Sequence, residues 1–296
     1  MGALKLDQNL ILKKLDNLPT LPSIVYELSR IINDPMSSTN EVVKILENDL
    51  ALTSQVLKMA NSAYYAIPGG AATLGRAIGF LGFDTVNQLV LSSSIISALK
   101  AKGTNDFNIN HFWQHSIGVG IAAETIAKYT KHPLPSDLFT CGLVHDIGKL
   151  AIYLTDPDAF LSLISFAKEN KMSIDEAEGK LDFPQHTEIG RLLAEKWLLP
   201  RQIQAAISYH HQSDFKKRGG ISNDLGRIVD TVILSNLIIH AQKFGNSGHE
   251  MVMPPTKELT IRLMIDSKVD FKPLANEIEV QLERATEFIR IIGGAS

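Results

Sequence analysis

Gly142-Leu143-Val144-His145-Asp146-Ile147-Gly148-Lys149-Leu150 sets an imidazole, a carboxylate and an ammonium inside an otherwise apolar run. Both flanks are hydrophobic, so the His-Asp doublet lies at the edge of a core, where both groups lose hydration and need partners. Read as one helix over 136–153, the segment turns consecutive residues roughly a quarter-turn apart, and His145 and Asp146 can grip one cation between them. Lys149 falls on the same side of that helix, where an ammonium is costly unless something anionic meets it. Phosphate is the natural candidate, and a nearby acid or a helix-terminal carbonyl is the equal alternative. Other histidines stand where they could reach the doublet: His115 upstream, then His186 and the pair His210-His211 downstream. Together they point to a metal site. Imidazoles with a single carboxylate are borderline ligands, which favours iron, zinc, nickel or manganese over calcium, and nothing calls for an organic cofactor.

The rest of the chain limits what such a site can serve. With 296 residues, 45% hydrophobic and 21% charged, the chain can bury a large core and is not disordered. A net charge of −3 gives no electrostatic reason to expect nucleic acid as a partner. The densest basic cluster, Lys216-Lys217-Arg218, reads as a solvated loop. One cysteine, Cys141, excludes an intrachain disulfide framework and fits a reducing compartment. The opening Met1–Gln8 shows no apolar signal segment, and the apolar run Val86–Leu99 is interrupted by Asn87, Gln88 and three serines. A cytoplasmic protein without membrane spans is expected.

The periodicity is helical nearly throughout, and the expected fold class is all-α. Leu18-Pro19-Thr20-Leu21-Pro22 is a rigid entry to a helix presenting Ile24, Val25, Leu28, Ile31 and Ile32 and ending near Asn33-Asp34-Pro35. Ser38-Thr39-Asn40-Glu41 is a capping box, Asp49 caps the next helix, and a long helix begins at Asp84. A polar stretch over 101–110 marks a boundary. Helices follow over 111–129, 136–153, 161–170, 186–197, 201–211 and 225–244, then a polar loop through Pro254-Pro255. A last helix carries Ala275, Ile278, Leu282, Ala285, Ile289 and Ile292 as a stripe. That stripe packs on the body in the favoured reading; pairing with a second copy, as a homodimer, is the other. The expected divisions are 1–105, 106–250 and 251–296. Trp113, Trp197 and Cys141 read as core, and His111, His132, His240 and His249 as core or surface.

Trp113-Gln114-His115-Ser116 followed by His145-Asp146-Ile147-Gly148-Lys149 resembles the HD superfamily of metal-dependent phosphohydrolases. Leu18-Pro19-Thr20-Leu21-Pro22, Leu57-Lys58-Met59-Ala60-Asn61-Ser62-Ala63-Tyr64-Tyr65 and Ala77-Ile78-Gly79-Phe80-Leu81-Gly82 are similar to the HDOD family, the HD-related output domains of bacterial signalling proteins. The resemblance runs from about residue 10 to about 245. It implies two helical subdomains, an N-terminal helical bundle packed on a C-terminal HD-like bundle, and a role in signal transduction, usually without demonstrated catalysis. His115, His145 and Asp146 match the HD pattern, while His186 and His210-His211 resemble the additional histidines of two-metal members such as the HD-GYP phosphodiesterases. The closing aspartate is replaced: Asn236 stands at its position, and Asp230, six residues earlier, is turned away around the helix. The Gly-Tyr-Pro element is also missing after His211.

Asp146 is thereby the one anionic ligand in the set, against roughly four positive charges for two divalent ions. One metal, moderately held by His115, His145, Asp146, His186, His210, His211 and Asn236, is the expectation, with a second dependent on hydroxide, phosphate or a carboxylate from elsewhere. Two functional classes follow. The first is a signalling output module that binds a protein partner or a small phosphorylated ligand. The alternative is a metal-dependent phosphohydrolase acting on a nucleotide or cyclic dinucleotide, with Lys149 steadying the phosphate.

Overall fold

The computed structural model describes residues 13–32, 38–266 and 268–293, and every regular element among them is a helix. The all-α expectation is met. No helix among the described residues is long and apolar enough to cross a membrane. They form two compact units.

The first-met unit spans 20–100 and 279–293. It contains α1 (Ser23–Ile32), α2 (Thr39–Glu47), α3 (Leu50–Ala60) and α4 (Leu74–Ala98). Local chemistry sets these ends. Ser38 and Glu41 form the full reciprocal capping box of α2, and Asp49 Oδ1 accepts from Leu52 N to start α3. In α1, Ile24, Val25 and Leu28 are buried as expected; its end near Asn33-Asp34-Pro35 lies outside the described residues. The helix expected from Asp84 is joined to the turns before it across a kink at Gly82, whose φ of 81° suits a residue without a side chain. Asn61 explains its own motif: Nδ2 donates to Leu57 O and Ala71 O, while Oδ1 accepts from Ala71 N, so one amide clamps the Pro68-Gly69-Gly70 loop.

The other unit spans 13–19 and 101–278. It holds α5 (Ile109–Tyr129), α6 (Pro135–Val144), α7 (Ile147–Thr155), α8 (Pro157–Glu169), α9 (Ile174–Leu181), α10 (His186–Lys196), α11 (Arg201–Tyr209), α12 (Asn223–Ala241) and α13 (Lys257–Arg262). The long helix α5 is almost wholly buried and packs on α6 and α12, while α7 packs on α10. Trp113, Cys141 and Trp197 are core residues, and Trp197 Nε1 donates to Pro19 O.

Several expectations need correction. The single helix over 136–153 is two helices, broken at the doublet itself: His145 caps the end of α6 and Asp146, at φ −101° and ψ 12°, starts α7. Helix α9, between 170 and 186, was not anticipated, nor was α13. The last helix is split at Ala285 into α14 (Phe271–Arg284) and α15 (Thr286–Gly293), with Thr286 Oγ1 donating back to Glu283 O. Its stripe is inward: Ile278, Leu282, Ala285 and Phe288 are buried, Ala275 and Ile289 partly so, and Phe288 packs against Tyr64 and Tyr65. Arg218 is not solvated but fully buried. Its guanidinium lies 2.6 Å from Asp230 Oδ1 and also donates to Gln212 O and Gly226 O, so each donor edge is used. Arg262 grips the same carboxylate through two further bonds, which leaves Asp230 fully committed to structure.

Candidate metal centre

The break between α6 and α7 turns His145 and Asp146 into one buried cluster with side chains from α5, α10 and the end of α11. His145, Asp146, His115 and His186 are fully buried, His210 nearly so, and His211 is half-buried. Asp146 lies at the centre. Its Oδ1 is 3.2 Å from His210 Nε2 and 3.4 Å from His186 Nε2, and its Oδ2 is 3.3 Å from His145 Nε2. His211 Nε2 is 3.2 Å and His210 Nε2 3.3 Å from His186 Nε2. Two candidate ligand sets result, each with its donor atoms within 4.8 Å of one another: Asp146, His186, His210 and His211, and His115, His145 and Asp146. Asp146 belongs to both. All six expected histidine and aspartate ligands are therefore brought together.

The outer contacts fix which ring nitrogen each histidine turns inward. Nδ1 of His145 bonds Gly142 O at 2.7 Å, and Nδ1 of His210 bonds Ile207 O at 2.9 Å. A carbonyl can only accept, so each Nδ1 carries the proton and each Nε2 keeps a lone pair. His186 Nδ1 lies 2.8 and 2.9 Å from the two oxygens of Glu178, which also accepts from His186 N. The cluster fits a metal on its own unmet valences: His145 Nε2, Asp146 Oδ1 and His115 Nδ1 are buried without a hydrogen-bond partner.

Asn236 sits where the closing acid was expected, and its Oδ1 is 3.0 Å from His115 Nε2. Lys149 is buried and turned onto the doublet, with Nζ 2.7 Å from Asp146 Oδ2 and 3.4 Å from Ser247 Oγ. The partner is thus the nearby acid.

Residues that sequence reading passed over complete the surroundings. Glu178, on α9, is wholly buried behind His186, and Asp175 Oδ1 lies 3.6 Å from His211 Nδ1. His240 packs against His115 with ring centroids 4.4 Å apart, and His249 stacks on His240 at the same distance. The sequence reads both as no more than core or surface residues. The loop after α12 brings His249 and Ser247 in by crossing α5 closely, with Asn246 N donating to His111 O. A Cβ at Gly245 would fall 2.3 Å from His115 N.

Burial, with the neighbouring His145 imidazole adding to it, pushes the His115 pKa down to about 3. Burial likewise lowers His210 to about 4 and His240 and His249 to about 2, and holds His211 well below its usual value. His186 goes the other way. Burial opposes its charge, but the Glu178 carboxylate that bonds it and the adjacent Asp146 carboxylate outweigh this and push it up to about 9. Burial also works against an ionised Asp146, yet His145 and Lys149 hold it well below the carboxylate range.

These directions give a pH prediction for chelator-treated protein. His115, His210, His240 and His249 stay neutral in the native state where the unfolded chain, with histidines near 6.5, takes up protons. The unfolded state binds more protons, so stability falls as pH falls below that value. His186 adds no slope there, because its own change is confined to the interval between the unfolded value and about 9. Thermal melts should show Tm dropping steadily between about pH 6.5 and pH 5, before carboxylates titrate. A flat Tm over that interval would contradict the buried neutral histidines.

An all-helical unit that gathers histidines and one aspartate from four chain segments around a His-Asp break defines a protein of the HD type with a candidate metal site. The family model for the HDOD domain matches residues 18–213, and the chain belongs to that family. The chain is 25% identical to an HDOD domain protein of unknown function from Geobacter sulfurreducens, with a TM-score of 0.76 and 97% of each chain covered. A Shewanella amazonensis SB2B protein, provisionally named a phosphohydrolase, is 26% identical, with a TM-score of 0.69 and coverage of 96% and 97%. An uncharacterized protein of Treponema pallidum (strain Nichols) is 26% identical over 274 residues, 92% of this chain. The chain spans about half (51%) of that relative's length.

Proposed function

We propose that this protein is a signalling output module in which one divalent transition metal sits in the histidine–aspartate cluster and presents a binding position for a small anionic ligand, phosphorylated or carboxylate. The observation that carries this reading is the charge balance of the buried set. Asp146 and Glu178 are acids, while Lys149 is paired with Asp146 and His186 is held protonated by Glu178, so the buried charges cancel without a metal. A divalent ion displacing the His186 proton leaves one positive charge uncompensated, and an anion completes the site. A second divalent ion would raise the excess from one positive charge to three with no further buried acid to meet it, since Asn236 offers only a neutral oxygen. When bound, such an ion would supply Lewis acidity toward a phosphoryl or carboxylate oxygen. The residues supply the rest: His145, His186 and His210 turn lone pairs inward, and Lys149 holds Asp146 in place.

Asn236→Asp tests the balance. The natural chain is expected to hold one equivalent of zinc after dialysis, measured by elemental analysis. The variant, with the acid restored beside His115, is expected to approach two. Two equivalents in the natural chain, or none, would overturn the charge argument.

A further inference from the structure

The two ligand sets around Asp146 are not equal. We infer that the ion loads into the set formed by Asp146, His186, His210 and His211 ahead of the set formed by His115, His145 and Asp146, and that Glu178 is the positioning residue that selects it. This rests on the proposed metal reading and sharpens it to a location.

The first set supplies three imidazoles and a carboxylate, enough to complete four-fold coordination from the protein, whereas the second supplies two imidazoles and the shared carboxylate. Outer partners differ in the same sense. Glu178 grips His186 Nδ1 with both oxygens and is itself immobilised by His186 N, fixing the ring and raising the basicity of Nε2. Asp175 stands behind His211 Nδ1 at 3.6 Å. In the second set His145 has only the Gly142 carbonyl behind it. His115 spends Nε2 on Asn236 Oδ1, an atom that can only accept, and no carboxylate stands behind it. Electrostatics add to this: two acids back the first set, and its neighbour on the other side is the neutral Asn236 with the His240–His249 stack.

The test uses the full chain and zinc alone. Zinc affinity is measured by competition with a chromophoric chelator in the natural protein and in His115→Ala, His186→Ala, His211→Ala and Glu178→Gln. Glu178→Gln keeps an acceptor for His186 Nδ1 and removes only the charge. It is expected to weaken zinc by about 10–100-fold, as loss of an outer carboxylate does, and His186→Ala and His211→Ala by more. His115→Ala is expected to retain tight zinc. Anomalous scattering at the zinc edge, from crystals given one equivalent, is expected to place the ion beside His186 and His211. An ion between His115 and His145, or a His115→Ala loss equal to that of His186→Ala, would overturn the order of loading while leaving the metal reading intact. Failure of the natural protein to take up zinc would overturn both. If the alanine variants do not fold, the anomalous position in the natural protein and the Glu178→Gln affinity decide between the two sets.

Discussion

Asp146→Ala is expected to empty the metal site and destabilise the fold together. Both ligand sets share this carboxylate, so metal affinity should fall by more than the roughly 10–100-fold that loss of an outer partner costs. Its removal also strands Lys149, which is 1% exposed and among the described residues has just Ser247 Oγ, at 3.4 Å, as another partner. An uncompensated buried charge costs about 3–5 kcal/mol. Asp146→Asn separates the two effects: an amide oxygen still accepts from Lys149, so stability should drop less while the metal is lost. Elemental analysis with chemical denaturation of both variants checks this. Equal stability of Asp146→Ala and the natural chain would show that Lys149 does not depend on the doublet.

Gly148→Ala is expected to be comparably severe for a different reason. A Cβ at this position would lie 1.8 Å from His186 O and 2.7 Å from His186 C. Those atoms are backbone of α10, so α7 and α10 must move apart, and overpacking of this kind costs about 1–3 kcal/mol or more. The displaced residue is itself one of the proposed ligands, so metal affinity should fall with stability. Gly179→Ala is the control. It lies within α9 with nothing within 4 Å of the added Cβ, and helix propensity alone favours alanine by about 0.5–1 kcal/mol. Thermal melts of the two variants should therefore move in opposite directions. A Gly148→Ala protein as stable as the natural one would mean that the close approach of α7 and α10 is not required.

The helical class was legible in sequence because local pattern carries it, and the members of the histidine–aspartate cluster were legible through the motifs they stand in. The capping box at Ser38–Glu41, the interruption at Gly82 and the inward stripe of Ile278, Leu282 and Ala285 follow from spacing and backbone preference. The break at His145–Asp146 was not legible, since no proline or glycine occupies either position and both flanks continue the apolar pattern. Yet that break, rather than helical geometry, is what turns both side chains onto one site. Glu178 was hidden for another reason: a carboxylate in a short polar helix looks solvated, and only the fold brings it behind His186, eight residues on. Arg218 was masked by its lysine neighbours, although its buried pairing with Asp230 follows once α12 and the preceding turn meet. His240 and His249 gave no signal at all, because stacking across a loop leaves no spacing in the chain.

In the proposed function the cluster holds a metal in order to bind rather than to hydrolyse. Its most direct test is a turnover assay of the zinc- or manganese-loaded chain against cyclic dinucleotides and nucleoside monophosphates, with metal content measured on the same sample. A loaded site and no product beyond that of the metal-free protein are expected. Sustained product formation that disappears in Asp146→Asn would contradict it and make the protein a phosphohydrolase.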